Sequence, residues 1–339
     1  MSTTREQDLA HWFAGWTGLP EPQLAPVAGD ASFRRYFRVA TGERALILCD
    51  SPPDTEKNPE FVRISRAFAS AGVRVPAIVQ YDESLGFFAL EDLGDQLLLP
   101  QLNDESADRF YRQALTLLKN IALADPESMQ LPAYDRETLS REMRLFPEWF
   151  CEKLLNRVAT PASRDMFAAA ENLLCEAALG QRQVVVHRDF HSRNLMLLSD
   201  GSLATIDYQD AVRGPVTYDL VSLLRDCYVR WEPARVREWM RSYHEALRLD
   251  GVELPEIAQF QCDFDWMGLQ RHIKVLGIFS RLYLRDAKPA YLGDLPLVLQ
   301  YVQEVLAAYP REPALSDLAQ WMNDELLPAA QRQPWFGGA

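Results

Sequence analysis

Cysteine is scarce in this chain and is not arranged to build a framework. The five residues Cys49, Cys151, Cys175, Cys227 and Cys262 are an odd number, widely spaced, without a CxxC pair. That pattern excludes a disulfide scaffold and a structural zinc site of the usual spacing, and it fits a reducing compartment. Positive charge is short as well: 35 Lys and Arg stand against 48 Asp and Glu, a formal net charge of -13. So acidic a surface does not displace counterions from a phosphate backbone, which excludes broad nucleic-acid binding but leaves room for a local basic pocket. No stretch approaches 18 apolar residues, and the opening MSTTREQDLAHWF is too charged for a signal-peptide core. A soluble, cytoplasmic protein with no membrane contact and no obligate protein partner is the expectation. Also missing are a GxxxxGK[ST] phosphate loop, a GxGxxG turn, an HExxH metal pair and a GxSxG elbow.

What is present is an ordinary globular composition, 48% hydrophobic and 24% charged, in 339 residues, enough for two packed lobes. Residues 4–16 suit a short amphipathic helix. Residues 32–40 alternate, with Phe33, Phe37 and Val39 on one side and Arg34, Tyr36 and Arg38 on the other. ALILC at 45–49 reads as a buried strand, joined to the previous one by a turn at Gly42. A helix from about Pro59 to Ala71 and strands at 77–82 and 87–92 complete a small antiparallel sheet with one inserted helix. Beyond Gly94 helical periodicity dominates, over about 104–124, 138–157, 162–179, 217–229, 234–249 and 262–285. One strand-rich island, Val184 to Ile206, interrupts it. The predicted fold class is therefore α+β: a β-rich N-terminal lobe, 1–93, and a larger, mostly helical lobe, 94–339.

The island carries the chemistry. Val184 to Val186 is a strand ending in the polar loop His187 to Asn194; Leu195 to Leu198 and Leu203 to Ile206 form a hairpin around Asp200-Gly201. The last strand ends on Asp207, so the hairpin returns Asp207 toward the loop holding Asp189 and Asn194. Two carboxylates and an amide oxygen at strand ends suit Mg2+, which takes hard oxygen ligands and keeps phosphate and water for the rest. A carboxylate left off the metal can accept the proton of an attacking hydroxyl, which is what phosphoryl transfer requires.

HRDFHSRN has the form HxDxxxxN, and IDYQD and GPVTYDL follow it. With that spacing the chain resembles the aminoglycoside phosphotransferase and choline kinase superfamily, relatives of the protein kinases. The resemblance implies an ATP-dependent, Mg2+-dependent kinase in which Asp189 is the catalytic base and His187 steadies the catalytic loop. It further implies that Asn194 and Asp207 hold Mg2+ and that Asp219 braces the loop. Read without the resemblance, Asp219 is an acidic residue in a helix's first turn, favoured by the dipole. His191 lies outside the motif and is read as a loop stabiliser.

On the nucleotide side, FFALEDLGD resembles the family's hinge, which makes the backbone of Glu91, Asp92 and Leu93 candidates for the adenine edge. Gly29-Asp30-Ala31-Ser32 is a candidate phosphate-covering loop, with Ser32 near the phosphates, or else a plain surface turn. The chain departs from the pattern on its third strand, ALILCD, which supplies no Lys for the phosphates. Arg34, Arg35 or Lys57 are the possible replacements, and Glu60 is the candidate helix acid.

For the acceptor, Arg271, Lys274, Arg281 and Arg285 form a stripe on the helix at 262–285, opposite Leu269, Ile273, Leu276 and Tyr283. The stripe is either a solvated face or, through Arg271 and Lys274, an anion-binding wall. His272 lies toward the apolar side and reads as a core histidine; Trp266 reads as core. Across about residues 5–325, GDASFRRYFRV, LILCDSPPD, ALEDLGD and LQRHIKVLGIFSRL look like the bacterial N-acetylmuramate/N-acetylglucosamine anomeric sugar kinases. That resemblance implies an amino-sugar substrate phosphorylated at its C1 hydroxyl, in peptidoglycan recycling, and a purpose for the basic stripe in the muramate's lactyl carboxylate. Another small alcohol, such as an aminoglycoside or choline, and a nucleotide-binding pseudokinase are the alternatives.

Overall fold

The computed structural model describes residues 2–27, 33–42 and 45–337. In chain order the first elements are α1 (Ser2–Thr17), β1 (Ala25–Val27), β2 (Arg35–Ala40), β3 (Ala45–Asp50) and α2 (Asn58–Ser70). They are followed by β4 (Ile78–Asp82), β5 (Phe87–Glu91), α3 (Ala107–Leu123), α4 (Pro126–Met129) and α5 (Arg136–Met143). A π-helical stretch, Phe146–Leu154, leads to α6 (Pro161–Gly180), β6 (Gln183–Val186), β7 (Leu195–Leu197), β8 (Leu203–Thr205) and β9 (Val212–Pro215). The remainder is helical: α7 (Tyr218–Leu224), α8 (Pro233–Leu249), α9 (Ile257–Leu284), α10 (Leu295–Ala308), α11 (Pro313–Trp321) and α12 (Leu327–Gln331).

The chain divides into two compact units, residues 1–130 with 193–211, and residues 131–192 with 212–339. The division falls inside the motif: Asp189 belongs to the second unit, Asn194 and Asp207 to the first.

The first unit is built on an antiparallel sheet in the order β1-β2-β3-β5-β4. The alternation of β2 and β3 sends Phe37, Val39, Leu46 and Leu48 to one face, where Leu9 and Phe13 of α1 cover them with Phe87 and Ala89. Phe61 and Phe68 of α2 serve the rest of the unit's core: Phe61 meets Phe88 edge-on at 5.4 Å and stacks on Tyr208 at 5.2 Å. Phe33, expected on one side of the strand with Phe37 and Val39, lies before the ladder, which begins only at Arg35, and is 72% exposed. Gly86 makes a close approach that no other residue permits: its φ is +68°, and a Cβ there would lie 2.0 Å from the Ser51 carbonyl oxygen. The β7–β8 hairpin is joined to the segment after Gly94 by Leu98 N–H on the Leu195 carbonyl and Leu197 N–H on the Gln96 carbonyl, both at 2.8 Å. The sheet ends at Glu91, where the sequence pattern changes, while the compact unit runs on through α3 and α4.

In the second unit β6 pairs with β9, a strand hidden from the sequence pattern by its RGP ending. α9 is the axis of the helical packing, with α5, α6, α7, α8, α10 and the π-helical stretch against it. Gly277 permits one of these contacts, since a Cβ there would meet the Leu145 backbone at 2.4 Å. The helix expected at 138–157 is thus two pieces, and α10 to α12 are additions to the predicted set.

Candidate active site

In the second unit, β6 delivers its last residue, Val186, into a loop fixed by buried carboxylates. Asp219 in the first turn of α7 is 2% exposed; its Oδ2 accepts the His187 backbone N–H at 2.6 Å and its Oδ1 that of Arg188 at 3.0 Å. Burial pushes the Asp219 carboxyl up to about 7, against the pull of the two amides and Arg271. Arg188 needs this grip, for it sits at φ +76°, in the left-handed region that non-glycine residues avoid. The His187 ring is fully buried and accepts the Asp189 N–H on Nδ1 at 3.3 Å, which puts the ring proton on Nε2. At the far end of the loop the buried Asp226 accepts the Ser192 N–H at 3.0 Å and its hydroxyl at 2.5 Å.

Asp189 is surrounded by positive charge. Burial pushes its carboxyl up, but His191, Lys274 and Arg271 outweigh it and hold Asp189 below the usual carboxylate range. It is therefore ionised at neutral pH, as a proton acceptor must be.

Arg271 and Lys274 are not on a solvated face: they are 5% and 8% exposed. The predicted stripe splits along the helix, with Arg285 exposed and paired to its neighbour Asp286. Lys274 Nζ donates to the Tyr218 hydroxyl and pairs with Glu142, each at 3.0 Å. Arg271 Nη1 lies 3.2 Å from the same hydroxyl. Glu142, on α5, also takes hydrogen bonds from the Tyr134 hydroxyl and from Arg188 Nη2. One buried carboxylate and one hydroxyl thus hold three cations around the catalytic loop. Sequence reasoning missed Glu142, Tyr134 and Asp226, and only Tyr218, inside GPVTYDL, carried any signal.

His272 is the core histidine expected, fully buried, with Nε2 3.0 Å from the Arg225 carbonyl and its ring stacked on Tyr301 at 4.8 Å. Trp266, expected in the core, is half-buried; it meets Tyr309 edge-on and lines a cavity of about 730 Å3 with Gln181, Arg213 and Asp263.

In the first unit the hairpin does what its spacing implied. Asn194 Nδ2 lies 3.5 Å from Asp207 Oδ2, and the Ile206 N–H donates to the Asn194 carbonyl at 3.1 Å. Asp207 is at φ +66°, and Gln209 Nε2 holds its Oδ1 at 2.6 Å. Here the amide nitrogen faces the carboxylate; with the Asn194 amide turned over, its oxygen and the Asp207 carboxylate would form a hard-oxygen donor pair that fits Mg2+, with phosphate and water completing the shell. Ser32 and the rest of the 29–32 loop lie outside the described residues.

At the end of β5 the side chains of the hinge candidates are already engaged. Arg74 binds the Glu91 carboxylate, and the Glu91 N–H donates to the Ala77 carbonyl at 2.9 Å. Arg38 grips Asp92 with Nε at 2.6 Å and Nη2 at 3.0 Å, and reaches Asp95 at 2.7 Å. The Glu91 amide is therefore engaged by Ala77, and the backbone of Glu91, Asp92 and Leu93 remains the candidate for the adenine edge. Glu60, the candidate helix acid, lies in the first turn of α2 and faces Arg63 at 3.7 Å.

Comparison with known proteins agrees with this geometry. The chain is 40% identical over 307 residues to an N-acetylmuramate/N-acetylglucosamine kinase of Pseudomonas aeruginosa, covering 90% of this chain and 89% of that one. A protein of the same name from Neisseria meningitidis is 39% identical over 332 residues, covering 95% and 98%. Among solved structures, an ethanolamine kinase from Plasmodium vivax superposes with a TM-score of 0.64 at 12% identity, covering 88% of this chain and 87% of that one. At that identity the likeness speaks for the fold alone, and the fold is the protein-kinase-like α+β arrangement expected. Residues 23–258 match the model of the APH phosphotransferase enzyme family. With that match over more than half its length and relatives at about 40% identity, the chain belongs to the phosphotransferase enzyme family.

Proposed function

We propose that this protein is an ATP-dependent kinase that phosphorylates the anomeric C1 hydroxyl of N-acetylmuramate and N-acetylglucosamine. The products are sugar 1-phosphates, and the reaction belongs to the recycling of peptidoglycan sugars in the cytoplasm. The observation that carries the reading is the near full-length identity of about 40% to kinases named for these two sugars.

Each residue has a part in that reaction. Asp189 orients the C1 hydroxyl and accepts its proton as the oxygen attacks the γ-phosphorus; the bond to the β-phosphate oxygen breaks and ADP leaves. An anomeric hydroxyl is more acidic than an ordinary alcohol, so a carboxylate as weakly basic as Asp189 suffices. Asn194 and Asp207 hold Mg2+, which neutralises charge on the phosphates. His187 and Asp219 act on the backbone of Asp189 and its neighbours and are positioning residues. The backbone of Glu91, Asp92 and Leu93 meets the adenine, with Ser32 near the phosphates. Arg271 and Lys274 bind the acceptor, and their charge beside Asp189 suits the lactyl carboxylate of the muramate. A polycationic aminoglycoside would prefer an acidic pocket.

Phosphorus NMR of the protein with Mg-ATP and N-acetylmuramate tests the reading. A new resonance coupled to the anomeric proton is expected. Phosphate appearing on another hydroxyl, or only on an aminoglycoside or choline, would replace the acceptor. ATP that stays intact with every acceptor would leave a nucleotide-binding pseudokinase.

A further inference from the structure

At the end of β6 away from the catalytic loop the second unit holds a cavity of about 730 Å3, a size usual for small-molecule sites. It is bordered by Gln183, the first residue of β6, whereas the loop begins after Val186, the last. On α9 the wall residue Asp263 stands eight residues before Arg271, about 12 Å of helix from a cation that acts on Asp189. The wall is set in advance: Gln181 Oε1 accepts the Thr217 hydroxyl at 2.7 Å, and its Nε2 donates to the Asp263 carbonyl at 3.3 Å. Trp266, half-buried, meets Tyr309 edge-on at 5.8 Å, which sets the plane of its ring.

Charge of both signs faces this space without being neutralised. Arg182, Arg213, Glu253 and Asp263 line it, so two guanidiniums and two carboxylates cancel, yet among the described residues none of the four forms an ion pair. Arg182, Arg213 and Glu253 are exposed. Asp263 is half-buried, with the Gln259 amide on its Oδ1 at 2.9 Å and no protein donor on Oδ2 among the described residues. Burial holds its carboxyl above the usual range in spite of that bond. A hydroxyl accepts from a guanidinium and donates to a carboxylate, so it serves both kinds of group at once. A polyhydroxylated, uncharged ligand therefore suits all four, whereas an anion meets two carboxylates and a cation two guanidiniums. The Trp266 indole and Pro255 supply apolar surface for the C–H face of a sugar ring.

We propose that this cavity is a second ligand site, separate from the catalytic one, that binds a neutral saccharide. Arg182, Arg213, Glu253 and Asp263 take its hydroxyls, and Trp266 lies against a ring face. The inference does not rest on the kinase reading: a chain that binds a saccharide here and phosphorylates no acceptor would overturn that reading and leave this site.

Calorimetric titration of the full chain with methyl N-acetyl-β-glucosaminide, a neutral sugar whose C1 oxygen is blocked against phosphorylation, tests it. The parent binds the glycoside, and Arg213→Ala and Glu253→Ala each raise its Kd by about tenfold, as for a lost hydrogen bond to a charged group. Both side chains are exposed, so these variants keep the parental melting temperature. No binding by the parent overturns the site, and so does a parental Kd in either variant. Binding that both variants keep and Lys274→Ala loses places the sugar at the catalytic loop and overturns the proposal too. Inorganic phosphate that binds the parent more tightly than the glycoside, and more tightly still once Glu253 is Ala, makes the cavity an anion site and overturns the saccharide.

Discussion

Asp219 holds His187 by its backbone, the carboxylate Oδ2 2.6 Å from the amide nitrogen, at the point where β6 gives way to the catalytic loop. The same carboxylate takes the next amide, that of Arg188, whose backbone is left-handed. The loop is thus set from beneath by one buried side chain, and from its far end by Asp226 on Ser192.

Replacing that carboxylate should be severe. Asp219→Ala leaves two buried amides without an acceptor, at about 1–3 kcal/mol each, and lets Asp189 drift from its orientation. We expect a lower melting temperature together with a fall in kcat of about a hundredfold; a variant that melts lower but keeps the parental kcat would confine Asp219 to stability.

Asp189→Asn keeps the shape of the base and removes its basicity. Turnover should fall by at least about a hundredfold, the usual contribution of a general base, while Mg-ATP binding survives. Initial rates and nucleotide titration on the same preparation check this, and full activity would remove Asp189 as the base.

Glu142 is the common partner of Lys274, Arg188 and Tyr134. Glu142→Ala leaves the buried Lys274 and the half-buried Arg188 without their counter-charge and should cost about 3 kcal/mol in a urea melt. The milder Glu142→Gln should raise KM for N-acetylmuramate more than KM for ATP. An equal rise in both would return Arg271 and Lys274 to a purely structural part.

Asp207→Ala removes the carboxylate that lies beside the Asn194 amide in the first unit. The Mg2+ concentration giving half-maximal rate should rise by about tenfold or more. An unchanged Mg2+ dependence would count against the metal role.

His272 gives the stability a signed pH dependence. Burial lowers its pKa from 6.5 to about 3, so the unfolded chain binds the proton that the folded chain refuses. Stability from this residue is complete above about pH 6.5 and is lost progressively as the pH falls toward 3. His272→Gln keeps a donor for the Arg225 carbonyl without titrating, and urea midpoints measured from pH 7 to pH 4.5 should show a shallower acid decline. An identical decline would place the proton uptake elsewhere.

Much of this protein was decided along the chain. Period-two alternation in β2 and β3 and helical periodicity in α2 and α3 depend on near neighbours, and those elements lie where the pattern put them. The HxDxxxxN spacing and the following hairpin are equally local: thirteen residues separate Asn194 from Asp207, and a turn at Gly201 is enough to bring them to 3.5 Å. What the tertiary structure alone decided concerns depth and partnership. Arg271 and Arg285, the latter the residue that caps α9, share one face in the sequence pattern, yet the first is buried and the second exposed, because burial changes along the axis and periodicity reports only position around it. Glu142 looks like any surface glutamate on a short helix until packing brings Lys274 to it from 132 residues away. Arg34 and Arg35 are adjacent and chemically identical; the pleat turns one toward Glu56 and Ser51 and the other toward Asp50, and only the fold distinguishes them.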